Sequence, residues 1–125
     1  DTGLFVSVLG GAPGVYTSRF SGTGCSYSDN IAKLLRVMNW ESDRTALFRT
    51  AVALCSPDGS CDLFEGEVAG EILREPRGTG GFGYDPVFLL PGPGLTFAEC
   101  PAGVKNELSH RALAFSALRT HLAAP

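Results

Sequence analysis

Apolar and polar positions along the chain alternate between two rhythms. Leu4 to Leu9 (LFVSVL) is an apolar run of strand length, and GGAPG, Gly10 to Gly14, interrupts it with a turn. Ser28 is placed to cap a helix, with Asp29 in the first turn, where a carboxylate suits the helix dipole. Ile31, Leu34, Leu35 and Met38 then recur at i, i+3, i+4 and i+7, which gives that helix one apolar face. TALFRTAVALC, Thr45 to Cys55, predicts a strand with both faces buried, and Pro57, Asp58 and Gly59 predict a turn after it. Beyond the turn, Phe64, Val68 and Ile72 share one face while Glu65, Glu67 and Glu71 share the other. That is a long strand with one wet face, hence an antiparallel hairpin with two long arms. PVFLL, Pro86 to Leu90, predicts a short strand ended by PGPG. Ser109 opens a last helix whose buried face is expected to carry Ala112, Phe115, Leu118 and Leu122. Met38 and Trp40 are expected in the core, and His121 on the surface of the last turn. The pattern predicts an α/β fold of the α+β type: a largely antiparallel sheet with two or more helices, in one domain spanning residues 1–125, with no repeat or linker.

Composition narrows the class. The 125 residues suffice for one domain and one core. With 44% hydrophobic and 18% charged residues, the chain is of ordinary globular composition. A net charge of −3 argues against a general nucleic-acid binder, which needs a basic face. No apolar run approaches the roughly 20 residues of a membrane helix, and DTGLFVSVLGG has no basic n-region of a signal peptide. The expectation is a cytoplasmic protein with no membrane or nucleic-acid partner. The cysteines are Cys25, Cys55, Cys61 and Cys100; with no CxxC pair and two histidines, a structural zinc site is not expected. Cys55 and Cys61 flank SPDGS and can face each other across a hairpin, so a disulfide is open there; the lack of an export signal favours reduced thiols.

Two segments carry candidate chemistry. GTGGFGYDP, Gly78 to Pro86, sets four glycines around Phe82, Tyr84 and Asp85. Glycine is used where φ must be positive or where something comes close. On extended backbone Phe82 and Tyr84 point one way, and Pro86 restricts Asp85 to extended geometry, so Asp85 points the other way unless the chain bends. A flat ligand stacked on Phe82 with its polar edge near Asp85 uses the whole set; the alternative is a glycine-rich connection whose aromatics simply pack. In KNELSHR, Lys105 to Arg111, a Ser109 cap puts His110 and Arg111 in the first helical turn. Cations oppose the dipole there, at a few tenths to ~1 kcal/mol each. Such donors, with Lys105 upstream, are aimed at an acceptor or an anion; the alternative is solvated surface charge. Asp1, just before a strand, is of the type that holds Mg²⁺ together with phosphate oxygens. Glu65, Glu67 and Glu71 read as a solvated face. No GxxxxGK[ST], GxSxG or HExxH occurs.

DTGL, GGAPGVYTSRFSG, FEGEVAGEI, EPRGTGGFGYDPVF, TFAE and KNELSHRALAF, in this order and spacing, resemble the inosine triphosphate pyrophosphatase family of Ham1-like, non-canonical purine NTP pyrophosphatases. The resemblance covers essentially the whole chain. It implies an ITPase-like fold with a long curved mixed sheet and flanking helices, a nucleotide cleft between two lobes, a homodimer, and Mg²⁺-dependent hydrolysis of ITP, dITP and XTP to the monophosphate and pyrophosphate. By position, Phe82 stacks on the base, while Tyr84, Asp85, Lys105, His110 and Arg111 contribute to its recognition. Asp1 matches the second acid of the family's DDSGL, which acts on the metal or the attacking water; Thr2 replaces the serine. The family's first strand, its [ST]NNxxK triphosphate loop and a metal-binding glutamate precede DTGL and are not among these residues. The expectation is therefore either a pyrophosphatase completed by residues from elsewhere, or a truncated, inactive relative that binds purine nucleotides weakly or serves as a dimerising module.

Overall fold

A computed structural model of the chain describes residues 2–101 and 109–123. Strands β1 (Thr2–Val6), β2 (Pro13–Gly14), β3 (Thr45–Cys55), β4 (Cys61–Ile72), β5 (Phe88–Leu90) and β6 (Leu95–Thr96) form one sheet in the order β2-β1-β3-β4-β5-β6. All of these pairings are antiparallel. Helices α1 (Tyr27–Val37) and α2 (His110–Ala123) complete the described elements. The α+β architecture expected from the pattern is the one observed.

The first strand is shorter than LFVSVL suggested. It stops at Val6, and Ser7–Leu9 forms a 3-10 turn. Gly11 N–H returns to the Val6 carbonyl at 3.0 Å, and Val6 N–H donates to the Ala12 carbonyl at 3.1 Å. The glycine pair thus reverses the chain into β2 before Ser7 can continue the ladder.

The hairpin of β3 and β4 is the spine of the sheet, in register from Thr45↔Glu71 to Cys55↔Cys61. On β4, Phe64, Gly66, Val68, Gly70 and Ile72 turn inward to varying depth, while Glu65, Glu67 and Glu71 are exposed, as the alternation predicts. β3 departs from the expectation of two buried faces. Ala46, Phe48 and Thr50 are buried, but the other face, Leu47, Arg49 and Ala51, is only half-buried. That face is dressed by polar groups: Arg49 lies over the Phe5 ring at 5.2 Å and pairs with Glu67 at 2.7 Å. The preference for reduced thiols is also corrected. Cys55 and Cys61 are joined by a disulfide, because the register sets them directly opposite each other beside the Ser56–Ser60 turn.

Helix α1 begins two residues earlier than expected. Its cap is Ser26, not Ser28: Asp29 N–H donates to Ser26 Oγ at 3.1 Å, and Ser26 N–H donates to Asp29 Oδ2 at 2.9 Å. This reciprocal pair satisfies two donors at the helix start. Leu34 and Met38 are fully buried, with Ile31 and Leu35 packed at the edge of the core. Trp40, expected in the core, is 92% exposed. The turn after α1 sends Met38 inward and residue 40 outward. The backbone there is held by Arg44, whose guanidinium donates to the carbonyls of Met38 (2.9 Å), Ile72 (2.6 Å) and Leu73 (3.0 Å), tying the end of α1 to the end of β4.

The buried face of α2 is another correction. Ala112 and Leu118 are half-buried, whereas Phe115 and Leu122 are exposed; the buried positions are His110 and Ala114. The cause is Gly66 on β4. A Cβ at that position would run into the His110 carbonyl and lie 2.5 Å from Ala114 N and 2.8 Å from Leu113 Cβ. The helix therefore rests its main chain on the strand, and its small residue, rather than its large ones, faces inward. The core beneath is aromatic, with Phe48 and Phe88 centroids 4.5 Å apart and Phe88 stacked on Phe97 at 5.6 Å.

Candidate functional site

The glycine stretch is a closed loop. At its base Arg77 N–H donates to the Pro86 carbonyl at 2.8 Å, and Gly80 N–H donates to the Ala98 carbonyl at 3.2 Å. Asp85 is not extended: it begins a 3-10 turn, Asp85–Val87. Its carboxylate folds back under the loop and Oδ2 accepts the Phe82 N–H at 3.0 Å. Gly81 has φ 74°, and a Cβ there would collide with that carboxylate, so both the turn and the close approach require glycine. Asp85 is buried, while Phe82 at the loop tip is 47% exposed. The extended geometry expected before Pro86 is thus corrected: the chain bends, and the bend brings Phe82, Tyr84 and Asp85 to one cleft.

Tyr84 is 3% exposed, and its hydroxyl donates to the Thr17 carbonyl at 2.7 Å. Burial, with the neighbouring Cys25, pushes its pKa well above the ordinary tyrosine value, so it acts as a neutral donor.

Ser109 caps α2 as expected, accepting the Ala112 N–H at 3.0 Å. His110 is not a surface cation; it is 8% exposed. Its Nδ1 shares a hydrogen bond with Thr50 Oγ1, which in turn meets Thr2 Oγ1 at 3.0 Å. Its ring stacks on Phe48 at 4.8 Å and meets the edge of Phe97 at 6.2 Å. Arg111 turns outward, with its guanidinium over the Phe82 ring, 5.3 Å from the centroid. The two segments singled out in the sequence therefore converge on one cleft of about 460 Å³, lined by Phe82, Tyr84, Asp85, His110 and Arg111. That volume lies in the range of small-molecule sites.

Sequence reasoning assigned no part to a further stretch of the lining, formed by Val15, Thr17, Ser18, Tyr27 and Asn30. Asn30 is buried; its Oδ1 accepts the Ser21 N–H at 2.8 Å and its Nδ2 donates to the Ser18 carbonyl at 3.1 Å. The available signal was an amide one turn before Leu34 on the apolar face of α1, where a polar group needs a partner. Thr17 Oγ1 accepts the Leu4 N–H at 3.0 Å, which ties this wall to β1.

Asp1 and Lys105 lie outside the described residues. Among the described residues there is no group of three or more His, Cys, Asp or Glu side chains able to hold a metal ion. No described helix is long and apolar enough to cross a membrane. What the cleft offers is an aromatic face, a cation against it and a buried carboxylate in the wall, a set suited to a flat heteroaromatic ring with a polar edge.

A family model described as the Ham1 family matches residues 1–121. A Geobacter sulfurreducens protein named dITP/XTP pyrophosphatase is 50% identical over 124 residues, which is 98% of this chain and 62% of that protein. The structure of the Staphylococcus aureus Ham1 protein superposes with a TM-score of 0.95 at 38% identity, covering 98% of this chain and 64% of that one. A HAM1 protein from Coxiella burnetii gives 0.94 at 40% identity, with coverage of 98% and 64%. The chain thus spans less than two thirds of the length of the proteins it matches.

Proposed function

The chain belongs to the Ham1 family, and from that premise we propose that it recognises the base in a pyrophosphatase of the dITP/XTP type, which hydrolyses ITP, dITP and XTP to the monophosphate and pyrophosphate. The observation that carries the reading is the meeting of Phe82 and Arg111 over a cleft whose wall holds Asp85 and His110. The purine ring stacks on Phe82. A 6-oxo purine presents O6 as an acceptor and N1–H as a donor, and adenine presents the reverse at both positions. Arg111, His110 and Lys105 offer donors to O6, and the Asp85 carboxylate, which can accept from more than one donor, takes N1–H. A site built for one hydrogen-bond pattern rejects its mismatch by ~10⁴-fold or more.

Hydrolysis in this proposal is in-line attack of water on the α-phosphorus with pyrophosphate leaving. Asp1 is assigned to the water or to a magnesium ion, which when bound would stabilise the leaving group. A single domain over 1–125, a cytoplasmic location and a homodimer belong to the same proposal.

The test is calorimetric titration with IMP and AMP, alongside pyrophosphate release from dITP in Mg²⁺. The expected result is saturable IMP binding with AMP at least about 100-fold weaker. Equal affinity for the two, or no saturation with IMP, overturns the base-recognition reading. Binding without pyrophosphate release above a blank leaves a nucleotide-binding relative without turnover.

A further inference from the structure

Thr96 to Glu99 (TFAE) packs against the back of the glycine loop, and its polar contacts converge on one atom. Glu99 Oε1 accepts from Arg77 Nε at 3.1 Å, from Arg77 Nη2 at 2.7 Å and from Thr96 N–H at 2.9 Å. Arg77 Nη2 also donates to the Gly94 carbonyl at 2.9 Å. The buried Thr96 hydroxyl donates to the Arg77 carbonyl at 2.7 Å and accepts the Glu99 N–H at 3.2 Å. Next to this knot the two segments lie flush. A Cβ on Gly78 would sit 2.8 Å from the Ala98 carbonyl carbon, and one on Gly80 would sit 2.9 Å from the Ala98 oxygen. From Gly80 the chain runs directly to Phe82, and it re-enters the fold where Ala98 N–H donates to the Asp85 carbonyl at 3.3 Å.

Neither Arg77 nor Glu99 lines the cleft. The pair is partly solvent-exposed, and exposed ion pairs add little to global stability. What three donors on one oxygen do fix is direction: they set the height and angle at which the loop leaves the sheet.

We propose that Glu99 and Arg77 are positioning residues for the cleft, a clasp that holds the loop carrying Phe82 and Asp85 at the geometry the ligand meets. The clasp acts through backbone placement and touches no ligand atom. Its effect on nucleotide affinity rests on the base-recognition reading above; its effect on the loop does not.

The test uses Glu99→Ala, Glu99→Gln and Arg77→Met in the full chain. Amide hydrogen exchange is read in the ligand-free protein and IMP affinity by calorimetry. Glu99→Ala and Arg77→Met are expected to speed exchange at the Gly80 and Phe82 amides by about tenfold, while β3 and β4 amides and the melting temperature stay near wild type. IMP affinity is expected to fall about fivefold, and Glu99→Gln, which keeps the acceptor oxygen, recovers most of both losses. Unchanged exchange at Phe82, acceleration spread evenly over the sheet, or unchanged IMP affinity in a loosened loop each overturn the clasp. If the wild type itself binds no IMP, the base-recognition reading fails and the exchange data decide the clasp alone.

Discussion

The guanidinium of Arg111 lies over the face of Phe82, 5.3 Å from its centroid, joining the first turn of α2 to the tip of the glycine loop. A cation at a helix start opposes the dipole, and the aromatic quadrupole offsets that cost. Phe82→Ala and Arg111→Ala are each expected to weaken IMP binding about tenfold, roughly 1.4 kcal/mol. Because the two side chains touch, the double variant is expected to lose less than the sum of the singles. Calorimetry on the three variants checks this, and wild-type affinity in Phe82→Ala would count against stacking.

His110 holds the cleft's rear wall through Thr50 and Phe48. Replacing His110 by Ala removes a packed ring and the Thr50 partner, with an expected loss of about 2–3 kcal/mol. Thr50→Val, which removes the hydroxyl alone, is expected to cost about 1 kcal/mol. Urea unfolding measures both; equal stability of wild type and His110→Ala would contradict the structural part of this residue's role.

The Cys55–Cys61 disulfide closes a short loop, with a sequence separation of 6. In the chain-entropy account such a loop contributes about 2 kcal/mol. Unfolding in the presence and absence of a dithiol reductant is expected to differ by up to that amount. Cys55→Ser combined with Cys61→Ser should match the reduced protein. No difference between oxidised and reduced chains would show that the crosslink does not constrain the unfolded state.

The Glu99 carboxyl is held below its ordinary value, first by the Arg77 side-chain hydrogen bond and next by the Thr96 N–H. In acid the unfolded chain therefore takes up the proton before the folded one. Its contribution to stability, small for a solvent-screened pair, is complete above the ordinary carboxylate range and is lost as the pH falls through the lowered native value. Asp29, Asp43 and Asp58 shift the same way and contribute equally in wild type and variant. Stability of Glu99→Gln, followed by urea midpoints against pH, is accordingly expected to fall less steeply in acid than that of wild type. Parallel curves would contradict the shift.

Legibility followed the strength of the local signal. The β3–β4 hairpin was plain in the sequence because alternation over a long strand leaves one register that turns Phe64, Val68 and Ile72 inward. GFGYD and SHR pointed to the cleft because glycines and helix-start cations are locally unfavourable unless a close contact or a counter-group exists. The burial of α2 was misread because period 3.6 ranks faces by apolarity, whereas Gly66 admits the helix main chain and so selects the small side of the helix. Trp40 was misread for a related reason: residue type says nothing about which way a turn faces. The Asn30 wall was missed because a buried amide is recognised by its partners, Ser18 and Ser21, and those meet it only in the folded chain. The Ham1 membership came from the whole set of segments in order, which no single element carries.

Gly66 works as a missing shim under a lever. Nothing but hydrogen separates the strand from the α2 backbone at that point, and the same helix carries His110 against Thr50 and Arg111 against Phe82 at its near end. A single methyl inserted there would raise the pivot, and both grips would slip together. The aperture of the cleft is thus gauged from beneath the helix, by an atom the sequence leaves out.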